Sequence, residues 1–64
     1  MYSYPTWFFS PTEGQLVRVD SLHAVPVDPD TGEKFTDLTA TSMRESDQWF
    51  EYATRKEAMR GTSE

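Results

Sequence analysis

A chain of 64 residues with eleven acidic and six basic side chains, a net charge of −5 and no cysteine has room for one small core and for no disulfide or thiolate metal site. The acidic balance argues against general affinity for nucleic-acid backbone or anionic membrane, both of which need clustered Lys and Arg. No apolar run reaches transmembrane length, and the start at Met1–Phe9 lacks a signal peptide's basic region and cleavage site, so a complete cytoplasmic chain is the expectation.

The apolar supply is 36% of the residues, concentrated in four Phe, three Tyr and two Trp. Aromatic side chains bury roughly 150–250 Å² each, which is enough for a small core. A homodimer or larger assembly is one route to further burial in a chain this short.

The first strand is expected over about 6–9, within the aromatic run Tyr2, Tyr4, Trp7, Phe8 and Phe9. Strand neighbours alternate between faces, so Trp7 and Phe9 share one face and Phe8 takes the other. One face can enter the core. The other needs a helix, a second subunit or a partner to cover it.

Two segments share the form x-Pro-x-x-Gly, Ser10-Pro11-Thr12-Glu13-Gly14 and Asp28-Pro29-Asp30-Thr31-Gly32. In each, Ser or Asp can accept a backbone hydrogen bond, Pro presets φ, and Gly supplies the left-handed residue that rejoins the strands. Both read as hairpin turns. Between them, residues 15–27 place Val17, Val19, Val25 and Val27 in phase at period 2, with Ser21 and His23 between. The run is long for a strand, so a bend is expected near Asp20-Ser21. Pro26 belongs at an edge or a strand end. A peripheral third strand is expected over 33–41, where Phe35 and Leu38 would fall on opposite faces unless a bulge intervenes.

Beyond Ser42 two readings compete. Ser42–Glu45 and Thr54–Glu57 both fit capping boxes, so one helix could span Met43–Arg60. The preferred reading is a strand at about 48–53 followed by a helix at about 55–60, stopped at Gly61. Gln48-Trp49-Phe50-Glu51-Tyr52 is dense in β-favouring aromatics, and Thr54 is a better cap than a mid-helix residue. The expected fold is therefore α+β, a single small domain over 1–64. It is a small antiparallel β-meander of three to four strands with one short C-terminal helix and a frayed tail at 61–64.

Conventional catalytic constellations are missing. His23 is the lone histidine, and no serine lies in a Gly-x-Ser-x-Gly context. Its phase with the valines makes it a partly buried strand histidine. Asp28, Asp30 and Glu33 lie close together, but the glycine is misplaced for a calcium loop and the proline fits a turn better. The three glycines are isolated, which leaves no phosphate loop. Asp47 and Glu51 are expected on the surface, with nothing to raise a pKa. No enzyme activity, cofactor or metal is expected.

The remaining candidates for contact with a partner or ligand are Trp7, Phe8, Trp49, Arg55 and Lys56. Exposed Trp and Tyr are favoured interface anchors. Arg55 and Lys56 sit at the amino end of the expected helix, where positive charge opposes the helix dipole, whereas Arg60 complements its carboxyl end. The expectation is a non-enzymatic binding protein that modulates or inhibits a partner protein. In composition it resembles, as a type, small regulators encoded by phages and other mobile elements, although no family-specific motif supports this. Acids such as Asp20, Asp28, Asp30, Glu33 and Asp37 admit nucleic-acid mimicry as a special case. Two alternatives are an oligomeric small-ligand or nucleotide binder, with Arg55 or Arg18 beside a stacking aromatic, and a structural component of a larger assembly.

Overall fold

The computed structural model describes residues 4–62. Tyr2 of the aromatic run and residues 63–64 of the expected tail lie outside them. Strands β1 (Thr6–Ser10) and β2 (Gln15–Val19) pair antiparallel, with Thr6 opposite Val19 and Ser10 opposite Gln15. The turn between them forms as its sequence implies. Gly14 adopts φ 65°, its N–H donates to the Ser10 carbonyl at 2.7 Å, and Ser10 Oγ accepts from the Glu13 N–H at 3.4 Å.

β2 ends at Val19, where the expected bend begins. A turn closed by the Ala24 N–H on the Ser21 carbonyl then leads the chain back beside β2. Arg18 and Val27 exchange N–H to carbonyl bonds of 2.8 and 3.0 Å. The second turn has Gly32 at φ 78°, with the Asp28 carboxylate accepting from the N–H groups of Asp30 and Thr31. Val27 then bridges to Lys34. The meander thus runs in chain order, but past β2 it thins to single bridges in place of full strands.

The expected strand over 33–41 is not present. Lys34 makes one bridge, and a turn with the Leu38 N–H on the Phe35 carbonyl follows. That turn brings Phe35 and Leu38 against the same core, where an extended chain would send them to opposite faces. Helix α1 (Ala40–Glu45) starts here, a second helix that the sequence reading lacked. Its cap is Thr39, not Ser42. Thr39 Oγ1 accepts from the Ser42 N–H and Ser42 Oγ accepts from the Thr39 N–H, each at 3.0 Å, so Ser42 is the third-residue partner of the box.

The last segment is strand then helix. β3 (Phe50–Tyr52) pairs antiparallel with β1, placing Phe8 opposite Glu51 and Phe9 opposite Phe50. The sheet order is therefore β2-β1-β3. Thr54 starts α2 (Arg55–Thr62) by accepting the Glu57 N–H on its hydroxyl at 3.2 Å. The helix carries through Gly61, where the sequence reading had ended it.

The central strand is buried on both sides. Phe8, Val17, Val19, Ala40 and Met43 are fully buried on one face, with Tyr4, Phe35, Leu38 and Trp49 packed around them. Phe9, Leu16 and Ala58 form the core of the other face, flanked by Trp7 and Tyr52. The protein's own α2 thus covers the Trp7–Phe9 face.

Candidate binding site at the open edge of β3

On the Phe8 face, α1 and β3 are joined by an ion pair. Arg44 Nε donates to Glu51 Oε1 and Arg44 Nη2 to Glu51 Oε2, both at 2.9 Å. Thr6 Oγ1 donates to Glu51 Oε2 at 2.7 Å, and Arg44 Nη2 also reaches the Tyr4 hydroxyl at 3.1 Å. The guanidinium carbon lies 5.7 Å from the centroid of Tyr4 and 5.8 Å from that of Phe8, within cation–π range. The two side chains are only 18% and 14% exposed. Burial pushes the Glu51 carboxyl up, but the hydrogen bonds from Arg44 and Thr6, with the Arg44 charge, leave it below the usual range. The Glu51 hydrogen bonds in turn raise Arg44 well above its ordinary value. Glu51 is therefore no free surface carboxylate, contrary to the sequence expectation.

Beside this pair lies a cleft of about 380 Å³ whose lining includes Phe8, Arg44, Asp47, Trp49, Phe50 and Glu51. It opens along β3, which ends the sheet: among the described residues no segment pairs with the strand's outer side. Trp49 packs partly into the Phe8 cluster, while Phe50 is 48% exposed. Asp47 is exposed, and among the described residues its carboxylate has no hydrogen-bond or ion-pair partner.

The candidates named from sequence are spread over the molecule. Phe8 is fully buried and serves as core, so it offers no surface contact. Trp7 is half-buried on the opposite face, against the Phe9 cluster. Only Trp49 is both accessible and part of the cleft. Arg55 pairs with Asp30 at 2.6 Å, tying α2 to the second turn, and Lys56 beside it is exposed. His23 is exposed in a second groove of about 260 Å³ with Leu22 and Val25, not a half-buried strand residue. The Asp28 carboxyl, whose partners are the Gln15 amide and the Asp30 and Thr31 N–H groups, is held below the usual range by Gln15 first and Asp30 next.

Sequence reasoning missed Arg44 and Glu51. A usable signal was present: Glu51 stands between Phe50 and Tyr52, and a carboxylate inside an aromatic strand needs a cation to hold it. Among the described residues no three His, Cys, Asp or Glu side chains converge as a metal site would require, and no helix is long and apolar enough to cross a membrane. The chain matches no protein-family model, no curated protein and no solved structure.

Proposed function

We propose that the protein is a small non-enzymatic binding protein that modulates or inhibits a partner protein, using the β3 edge as its contact surface. The observation that carries this reading is the half-exposed Phe50 on an unpaired edge, next to an open cleft. The chain's own helices already cover both faces of the sheet. Exposing a large aromatic at the rim adds nothing to that core, whereas aromatic anchors dominate protein interfaces. A cytoplasmic setting and a phage or mobile-element origin belong to the same reading.

The nucleotide-binding alternative has less support, because its two candidate cations face carboxylates. Arg55 is 2.6 Å from Asp30, and Arg18 is 3.0 Å from Asp20. Affinity capture combined with the solution mass of the free chain tests the proposal. One stoichiometric protein partner and a free chain of defined small mass are expected. Concentration-dependent assembly without a partner would favour the structural-component reading. A nucleotide-induced rise in stability, about 2.7 kcal/mol at 100 times the dissociation constant, would favour the ligand reading.

A further inference from the structure

Resting on that reading, we infer that the β3 cleft takes a basic side chain carried on an extended segment of the partner, which lies along β3 as an added strand. The open edge of β3 and the position, charge, wall and size of the cleft specify this occupant. The outer side of β3 is unpaired among the described residues, so its backbone can continue the ladder. Alternate residues of an added strand point to one face, which puts one side chain on the Phe8–Glu51 side, where the cleft lies.

The charge of the cleft then selects that side chain. Arg44 has both carboxylate oxygens of Glu51 as partners, which among the described residues leaves the Asp47 carboxylate as the cleft's uncompensated charge, in a chain of net charge −5. The partly buried ring of Trp49, on the Phe8 side, offers an apolar wall to the stem of a Lys or Arg and a π-face to its head, while Phe50, opposite Phe9, lies on the other face and meets the added strand's neighbouring side chains. An acidic side chain would meet Asp47 across a short distance and be repelled. A volume of about 380 Å³ lies at the lower end of small-ligand pockets and is ample for one long side chain.

The test uses Trp49 fluorescence in a Trp7→Phe variant, titrated with capped peptides of about seven residues that alternate valine and threonine. The peptides differ only in a central lysine, norleucine or glutamate. A saturable change with the lysine peptide is expected, at least about tenfold tighter than with the glutamate peptide. Asp47→Asn should shrink that preference to less than about threefold, and Phe50→Ser should weaken all three peptides. Equal affinity for lysine and glutamate peptides overturns the inference, as does a preference that survives Asp47→Asn. No binding of any peptide, alongside a captured partner whose retention depends on Phe50, overturns the inference and leaves the proposed function standing. Absence of both overturns the two together.

Discussion

Arg44 grips Glu51 through two parallel hydrogen bonds of 2.9 Å, joining α1, the helix on the Phe8 side, to the last strand of the sheet. The contact fixes the wall of the cleft as well as the fold. Removing one partner leaves a poorly solvated charge, so Glu51→Ala or Arg44→Ala should lower stability by about 2–3 kcal/mol in urea unfolding. Arg44→Met with Glu51→Leu should lose less than either single change, because no charge is stranded.

The same pair sets an acid limb. The Glu51 carboxyl ionises at lower pH in the folded chain than in the unfolded chain, which therefore binds more protons in acid. Its contribution is complete above the ordinary glutamate value of about 4.3 and is lost as pH falls through the lower folded value. Asp28 acts in the same direction. Urea midpoints measured from neutral pH downward should be flat until this region and then fall, and Glu51→Gln should make the fall shallower.

The two turn glycines differ from most glycines in needing positive φ, 65° at Gly14 and 78° at Gly32, while an added Cβ at either would meet nothing within 4 Å. Substitution there costs conformation alone. Gly14→Ala and Gly32→Ala should each destabilise by about 1–2 kcal/mol, and Gly32→Asn by less, since Asn tolerates the left-handed region. Equal urea midpoints for Ala and Asn at position 32 would contradict this account of the turn.

Ala58 is fully buried where α2 meets Phe9 and Leu16. A larger side chain has to lift the helix off the sheet. Ala58→Leu should cost about 1–3 kcal/mol and shift the emission of Trp7, which packs beside that cluster, toward the red. Unchanged stability would mean that α2 does not close this face.

These features were unevenly legible in the sequence. Both turns could be read because their chemistry is local: Pro and Gly act on their own backbone, and Asp28 reaches residues only two and three positions on. The alternation of Trp7, Phe8 and Phe9 was equally local, and the helix that covers one side proved to be α2. Residues 33–41 misled because propensity favours a strand in a Thr-rich run, whereas burial of both Phe35 and Leu38 in one cluster requires the turn between them. The cleft was hidden for a different reason. It depends on Phe8 meeting Arg44 and Glu51, residues distant from it in sequence that strand pairing brings to it.

The central claim is that Phe50 at the β3 edge anchors a partner protein, and capture by wild type and Phe50→Ser side by side tests it most directly. With 48% of Phe50 exposed, the substitution should shift stability by less than about 1 kcal/mol, so circular dichroism and the urea midpoint should match wild type. The account predicts that the stoichiometric partner retained by wild type is lost or strongly depleted with this folded variant. Equal recovery of that partner by both proteins would contradict it.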